Sequence, residues 1–254
     1  MRLKQNSDIS INNFKGLLHF HTTYSDGKNT LIEMLREAEK EGFKFAAVCD
    51  HSKSASYANG LSEGRVLLQK QEIRTIMSEL QLHLFHGIES DIIQDGSLDY
   101  RDDFLSNFDF VVASVHSGFH MEQDKMTNRI IKAVENLHTD LLGHPTGRLL
   151  LSRDSYKVNL KKIIDACAAN KVAIEINANP HRLDLDWRMI YYAREKGCLF
   201  AINPDAHSTG DISFIKYGVM IGRKGGLQST ELINFFNVNE FKKFLNRKIK
   251  RNFN

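Results

Sequence analysis

The sequence lacks the features that mark disulfide-rich, membrane and secreted proteins. Its 254 residues include only three cysteines and three prolines. Cys49, Cys167 and Cys198 are odd in number, far apart and set in apolar stretches, so we expect reduced core thiols in a cytoplasmic protein. No apolar run approaches the ~18 residues of a membrane helix, and the N-terminal segment lacks the ~7–15-residue apolar core of a secretory signal. These absences argue against a disulfide scaffold, a membrane protein and a secreted protein.

A large excess of charge of one sign is also absent. The 34 lysines and arginines against 31 acidic residues leave a formal charge of +3, too balanced to indicate nucleic acid or a membrane as a partner. With 42% hydrophobic and 26% charged residues the composition is that of a globular protein. The unusual abundance is histidine, of which there are 11.

Element types alternate along the chain. Near-continuous apolar runs, typical of strands buried on both faces of a parallel sheet, occur at residues 16–20, 45–49, 82–88, 108–115, 140–143, 172–176 and 198–202. Helical patterns lie between them at 30–41, 126–137, 159–170 and 186–196. The first of these helices has a capping box formed by Thr30 and Glu33, and Gly42 is placed to end it.

Seven strands in such an order predict an α/β protein, a single-domain distorted TIM-like (β/α)7 barrel. A doubly wound sheet is the alternative. Neither a linker nor an internal repeat divides the chain. We therefore predict an N-terminal extension over 1–13, the barrel domain over 14–238 and a basic C-terminal helix or tail over 239–254.

Imidazoles and carboxylates follow six of the seven predicted strands. In a βα barrel the C-terminal strand ends meet at one mouth, where active sites are built. Nitrogen and carboxylate ligands suit Zn, Mn or Fe, and nine of them exceed the coordination of one ion, so we expect two or three metals. The strand ends and the loops just after them offer as candidates His19, His21, Asp26, Asp50, His51, Glu89, Asp91, His116, His144, Asp205 and His207. His181 stays open as a further candidate, whereas His83, His86, His120 and His138 do not end strands and are expected to have ordinary roles.

These segments resemble the polymerase-and-histidinol-phosphatase (PHP) superfamily of metal-dependent phosphoesterases, and most of all the C-terminal PHP domain of bacterial family X DNA polymerases. The resemblance runs in order from about residue 14 to about 245. It is carried by Leu18-His19-Phe20-His21-Thr22, Tyr24-Ser25-Asp26-Gly27, Cys49-Asp50-His51-Ser52, Gly87-Ile88-Glu89-Ser90-Asp91, Ala113-Ser114-Val115-His116, Gly143-His144-Pro145, Glu175-Ile176-Asn177 and Asp205-Ala206-His207.

The resemblance implies a trinuclear site and phosphoester hydrolysis by a metal-activated hydroxide, usually with Mn or Zn. The first ion would take His19, His21, Glu89 and Asp205; the second would share Glu89 and take His116 and His144; the third would take Asp26, His51 and His207. Glu89, Asp205 and His207 would then be the catalytic residues. The polymerase relatives imply 3′–5′ exonuclease or phosphatase chemistry, so the expected substrates are DNA 3′ ends or a small phosphomonoester such as histidinol phosphate or a nucleotide monophosphate.

Two arginines are candidates for holding the substrate phosphate. Arg148 and Arg182 follow the fifth and sixth strands, and a guanidinium suits a phosphate bidentately. The alternative is an ion pair with a rim carboxylate such as Asp184. The segment 241–251, with lysines and arginines between Phe241, Phe244, Leu245 and Ile249, would bind a phosphate backbone or form an amphipathic helix that packs on the barrel.

Two departures from the family pattern are visible: Leu17 stands where Asp is usual, and Arg223-Lys224-Gly225-Gly226 lacks a usual Trp. Only about 13 residues precede the resembling region, so we expect no polymerase activity. Two other functions remain open, a metal amidohydrolase and a non-enzymatic metal-binding partner of a polymerase or repair complex. The sequence leaves the oligomeric state open.

Overall fold

Seven parallel strands form a nearly closed barrel in the computed structural model, which describes residues 7–247. Each strand pairs with the next one along the chain, in the order β1 to β7. The strands are β1 (Gly16–Leu18), β2 (Phe45–Val48), β3 (His83–Asp91), β4 (Phe110–Ser114), β5 (Leu141–Leu142), β6 (Ala173–Asn177) and β7 (Phe200–Asn203). The predicted (β/α)7 barrel is confirmed.

The seam between the first and last strands is held by side-chain and loop contacts. A single parallel bridge joins Phe20 to Ala206. Lower in the barrel, the buried side chain of Asn234 accepts a hydrogen bond from the Ile202 amide at 2.8 Å and donates to the carbonyls of Gly16 and Ile202 at 3.1 Å each. One amide side chain therefore supplies hydrogen bonds to both strands at the position where their backbones do not form a ladder.

Eight α-helices occur within residues 7–247. They are α1 (Leu31–Lys40), α2 (Glu63–Ile76), α3 (Asp102–Leu105), α4 (Gln123–Glu135), α5 (Leu160–Asn170), α6 (Trp187–Glu195), α7 (Ile215–Lys224) and α8 (Val238–Leu245). The four predicted helices are confirmed as α1, α4, α5 and α6, and the capping box of Thr30 and Glu33 is formed. Sequence periodicity missed α2, α3 and α7.

The barrel interior is apolar at the end away from the predicted mouth. The ring of Phe241, on α8, is fully buried and lies 4.9 Å from the rings of both Phe45 and Phe85 and 5.7 Å from that of Phe110. Arg247 ties the end of this segment to the barrel through Asp140 at 2.8 Å. The N-terminal part of the basic segment is thus packed on the barrel, while its residues 248–251 lie outside the described residues.

Two further expectations concern the cysteines and membrane helices. Cys49, Cys167 and Cys198 are free and buried, as predicted. Between residues 7 and 247 no helix has the length and apolar character needed to cross a bilayer.

Candidate metal centre

The nine predicted ligand residues come together at the C-terminal ends of the strands, around the buried carboxylate of Glu89. Because β3 continues to Asp91 and pairs with β4 there, Glu89 lies within a strand and not after one. Its Oε1 is 2.9 Å from Nε2 of His144 and 3.4 Å from Nε2 of both His19 and His116. Its Oε2 is 3.0 Å from Nδ1 of His51. One carboxylate therefore faces imidazoles that follow four different strands.

Asp205 and Asp26 lie close to the remaining imidazole rings, those of His21 and His207. Asp205 Oδ1 lies 3.1 Å from Nε2 of His21 and 3.6 Å from Nε2 of His19. Asp26 Oδ1 lies 3.4 Å from Nε2 of His207 and 3.9 Å from Nδ1 of His21. Asp26 and His207 are each 32% exposed, so the cluster opens to solvent at this end.

This donor set fits divalent cations. Within it three groups have ligand atoms that all lie within 4.8 Å of one another: His21, Asp26, His51 and His207; His19, His21 and Asp205; and His51, Glu89 and His116. Among residues 7–247, Nε2 of His19, Nδ1 of His51 and Oε2 of Glu89 are buried and have no hydrogen-bond partner, since the 3.0 Å contact between the last two atoms lacks hydrogen-bond geometry. Such atoms are costly to leave unsatisfied, at ~1–3 kcal/mol each, and a cation would satisfy them.

Strained backbone marks three of the nine positions. His19, His144 and Asp205 have φ values of 69°, 22° and 51°. Positive φ is uncommon for residues other than glycine and costs ~1–3 kcal/mol where the surroundings enforce it. Such strain clusters at functional sites, and here it falls where the chain leaves β1, β5 and β7.

Glu175 on β6 is a central residue that sequence reasoning did not assign to the site. Its Oε1 accepts from His19 Nδ1 at 2.7 Å and from the Asn203 amide at 2.9 Å, and its Oε2 accepts from the backbone N–H of His144 at 2.7 Å. The bond to Nδ1 leaves Nε2 of His19 free to face Glu89. Carboxylates that orient metal-binding imidazoles in this way tune the metal site. The sequence signal that could have identified Glu175 is an acidic residue inside a largely apolar strand.

Asp91 holds His116 in the same manner. Its Oδ1 accepts from His116 Nδ1 at 2.5 Å, and its Oδ2 accepts from the Ser54 hydroxyl at 2.8 Å. Asp50, also at a strand end, has a different role: it accepts from the hydroxyl groups of Thr22 and Ser25 and so orders the loop after His21.

The groups in the cluster strongly shift one another's pKa values. Burial alone would raise the pKa of Glu89, but the surrounding His116, His19 and His51 hold that pKa well below its usual value. Burial lowers the pKa of His21 to about 3, helped by the neighbouring His207 and His51. The cluster thus favours an ionised Glu89 and a neutral His21. Despite burial, neighbouring carboxylates raise the pKa of His116 to about 10 and that of His207 to about 9, so a metal ion binding there would displace protons from these rings.

The other histidines lie elsewhere. His181 is exposed and is in none of the ligand groups. His86 is buried and meets Gln69 at 3.0 Å, whereas His120 is exposed and His83 and His138 are partly buried. That these four have ordinary roles stays a prediction.

The two predicted phosphate-binding arginines differ in their surroundings. Arg182 Nε is 3.5 Å from Asp205 Oδ2, at the edge of the cluster. Arg148 is paired at 2.9 Å with Asp186, rather than with Asp184, and also donates to the carbonyls of Arg182 and Leu183. Sequence reasoning overlooked Tyr57, whose ring is 68% exposed and 6.0 Å from that of His51.

A seven-stranded barrel with a cluster of imidazoles and carboxylates at its C-terminal mouth defines a class of metal-dependent hydrolases. The family model of the PHP domain matches residues 18–179. The chain belongs to the PHP domain family.

Relatives with curated names agree with this assignment. The chain is 37% identical over 240 residues to "DNA polymerase/3'-5' exonuclease PolX" of Bacillus subtilis (strain 168), covering 94% of this chain and 42% of that protein. It is 25% identical over 242 residues to a probable phosphatase of Thermoanaerobacter sp. (strain X514), covering 91% of this chain and 94% of the relative. The chain therefore spans less than half the length of the polymerase and nearly the whole length of the phosphatase.

Among solved structures, the histidinol phosphate phosphatase of Lactococcus lactis, complexed with zinc, L-histidinol and phosphate, superposes with a TM-score of 0.60. The sequence identity is 16%, and the match covers 84% of this chain and 95% of that one. This likeness establishes the shared fold.

Proposed function

We propose that the chain hydrolyses phosphate esters with three divalent ions, Mn, Zn or Fe, bound by the nine clustered residues. The observation that carries the proposal is the convergence of nine imidazole and carboxylate side chains on one barrel mouth, with buried ligand atoms left unpaired. A scattered set of histidines would not produce it, and a one-metal or two-metal amidohydrolase site would leave Asp26, His51 and His207 without a role.

Two of the three close groups support the first and third ligand sets that the family resemblance implies, whereas the remaining group joins His51 to Glu89 and His116 and does not include His144. His19, His21, Glu89 and Asp205 would hold the first ion, with Glu89 shared by a second ion held by His116 and His144. Asp26, His51 and His207 would hold the third, at the solvent-exposed end of the cluster. Glu89, Asp205 and His207 remain the proposed catalytic residues, one from each part of the cluster.

Divalent ions held there supply a reactive water at neutral pH and offset charge that develops on the phosphoryl oxygens. The side chains around them orient the ester. Arg182, 17% exposed and 3.5 Å from Asp205, would hold a phosphate oxygen in this proposal. Arg148 donates to the carbonyls of Arg182 and Leu183, so we propose that it positions this segment; its direct contact with phosphate remains a prediction.

The test is hydrolysis of a 5′-labelled single-stranded oligonucleotide with added Mn by wild type, Asp205→Asn and, as a matched control, the exposed Asp103→Asn. Asparagine tolerates the positive φ of residue 205, so this change removes a ligand charge without new backbone strain. A ladder of shortened products in wild type and Asp103→Asn that vanishes in Asp205→Asn supports a 3′–5′ exonuclease that acts on DNA 3′ ends.

A small-molecule phosphatase is the second candidate, favoured by the full-length match to a probable phosphatase. Phosphate release from nucleotide monophosphates or histidinol phosphate, with the oligonucleotide left intact, would support it. Wild-type protein that binds metal yet hydrolyses none of these esters would contradict the proposed function and favour a non-enzymatic metal-binding role.

A further inference from the structure

A buried arginine on α4 joins the loops that follow β3 and β4. Arg129 is 3% exposed, and its guanidinium donates hydrogen bonds to both loops. Nε donates to the carbonyl of Ile93 at 2.9 Å and Nη2 donates to the carbonyl of Ile92, both just after β3. Nη1 donates to the carbonyl of Ser117, after β4, at 2.8 Å. One planar side chain therefore fixes two loops that leave neighbouring strands.

These contacts are adjacent in the chain to a pair of side chains in the metal centre. Ile92 directly follows Asp91, and Ser117 directly follows His116. Asp91 Oδ1 accepts from His116 Nδ1 at 2.5 Å, which leaves Nε2 of that ring facing Glu89 at 3.4 Å. A movement of either loop would change the separation of Asp91 and His116, and a rigid guanidinium bonded to both loops opposes such a movement.

Both loops approach Arg129 closely at a glycine. Gly118 has a φ of 68°, and a Cβ atom at this position would lie 3.0 Å from Nη1 of Arg129. Gly96, in the turn after β3, has a φ of 85°, and a Cβ atom there would lie 2.7 Å from the carbonyl oxygen of Arg129. Glycine permits both the positive φ and the short distances, so the two loops are fitted to this arginine.

The charge of Arg129 has no carboxylate in contact with it. Among residues 7–247 the guanidinium forms no ion pair, and its hydrogen bonds go to carbonyl and hydroxyl oxygens. Burial lowers the pKa of Arg129, whereas Tyr156 and the carboxylate of Asp91 act in the opposite direction. Removing a charged group from water costs several kcal/mol, so a gain in stability does not by itself explain a guanidinium at this position.

We propose that Arg129 is a positioning residue for the metal centre: by bridging the loops after β3 and β4, it holds Asp91 against His116. The His116 ring is thereby kept in the orientation that the second proposed ion requires. This inference rests on the proposed function, because it concerns an ion of that site. The contacts of Arg129 are with the two loops, so its effect reaches the ion through His116.

The first measurement follows the His116 side chain directly. Proton NMR of the full chain, without metal and with saturating diamagnetic Zn²⁺, detects the Nδ1–H group that donates to Asp91. The variant His116→Asn identifies this resonance by removing it. The Nδ1–H group of His19, which donates to Glu175 at 2.7 Å, is an internal reference in the same spectrum.

The variants are Arg129→Gln and Arg129→Lys, with Arg223→Gln as the matched control. Arg223 also donates to a backbone carbonyl, that of Ile9 at 2.9 Å, and neither residue is in a ligand group. Lysine keeps the charge but replaces the planar fork by a single nitrogen, so it does not bridge the two loops in the same way. Circular dichroism and urea unfolding establish that each variant is folded.

Both Arg129 variants should shift or broaden the His116 resonance and leave the His19 resonance in place, whereas Arg223→Gln should change neither. A His116 resonance at its wild-type position in both folded Arg129 variants would overturn the proposal. Wild-type behaviour of Arg129→Lys alone would also overturn it, because a positive charge would then suffice without the bridge.

The second measurement is a double-mutant cycle on Mn²⁺ affinity, measured by calorimetry. Arg129→Gln alone should weaken the binding of one ion by about tenfold, the lower end of the range for groups that orient metal ligands. In a His116→Asn background the same change should have no further effect, because the ring through which Arg129 acts is gone. Equal losses in the two backgrounds would contradict the proposal, since they would indicate a general structural role.

Failure of the proposed function is distinguishable from failure of this inference. Wild-type protein that binds Mn²⁺ and shows the expected response to Arg129→Gln, yet hydrolyses neither the oligonucleotide nor the phosphomonoesters, would contradict the phosphoesterase activity and leave the role of Arg129 supported. Active protein in which Arg129→Gln changes neither the His116 resonance nor the Mn²⁺ affinity would contradict the inference alone.

Discussion

Glu175 joins two proposed metal ligands through a single buried carboxylate, which makes Glu175→Gln a sharp test of the site. The carboxylate is fully buried and accepts four hydrogen bonds, from His19 Nδ1, the His144 amide and the side chains of Asn203 and Asn177. Glutamine has the same shape but only one acceptor oxygen, so its NH₂ group must face two of these four donors.

Either orientation of the amide harms the centre. If the NH₂ group faces His144, two buried donors meet and the loop after β5 shifts. If it faces His19, the ring must accept at Nδ1 and carry its proton on Nε2, the atom that faces Glu89 and Asp205. Two unpaired donors at ~1–3 kcal/mol each lower the free energy of unfolding by about 2–6 kcal/mol. Loss of such an orienting partner typically lowers metal affinity by ~10–100-fold.

The assay is metal binding, not turnover. Mn²⁺ and Zn²⁺ affinities are measured by calorimetry on apo-protein of wild type, Glu175→Gln and the exposed control Glu41→Gln, with circular dichroism to confirm the fold. We expect the sites that include His19 and His144 to lose affinity in Glu175→Gln, and no loss in Glu41→Gln. A folded Glu175→Gln protein that binds three ions as tightly as wild type would refute the argument that this carboxylate orients His19.

Three further predictions concern stability and are checked by urea unfolding. Asn234→Ala should lower the free energy of unfolding by ~2–4 kcal/mol, because it leaves the amide and carbonyl of Ile202 and the carbonyl of Gly16 without partners at the seam; exposed Asn12→Ala should not. Phe241→Ala should cost ~3–5 kcal/mol by opening a cavity among the interior rings, whereas a loss below 1 kcal/mol would mean that α8 does not close the barrel. Burial raises the pKa of Asp184 from 3.8 to about 6. Between these two pH values the folded chain therefore keeps a proton on this carboxyl group that the unfolded chain has lost. Stability should therefore fall by up to ~3 kcal/mol as the pH rises through this window, and Asp184→Asn should remove that part of the pH dependence.

The strands were predictable because each is buried on both faces and reads as an apolar run. Helices were predictable where one face is apolar, as in α1. The pattern fails for α7 because its buried face includes Gly218 and Gly222; a Cβ at Gly218 would lie 2.4 Å from Ile202, so glycine permits close packing that a hydrophobic pattern does not register. It fails for α2 because Leu67 and Leu68 are exposed beside the buried face.

The site was predictable to the extent that its residues end strands. The fold geometry predicts that side chains at parallel strand ends converge, and this places the nine candidates at one mouth. The orienting roles of Glu175 and Asp91 were not assigned because orienting carboxylates have no spacing rule: their roles depend on which ring nitrogen they face across neighbouring strands.

The position of the first proposed ion has a structural consequence for the barrel. Its ligands His19 and His21 follow β1 and Asp205 follows β7, the two strands that share only one backbone bridge. His21 and Asp205 already meet at 3.1 Å across this seam, above the hydrogen bonds of Asn234. An ion shared by these residues would join β1 to β7 where backbone pairing is weakest. Binding only to the closed barrel, it would stabilise the fold by mass action, so metal removal and Asn234→Ala should weaken the same seam and show non-additive effects on stability.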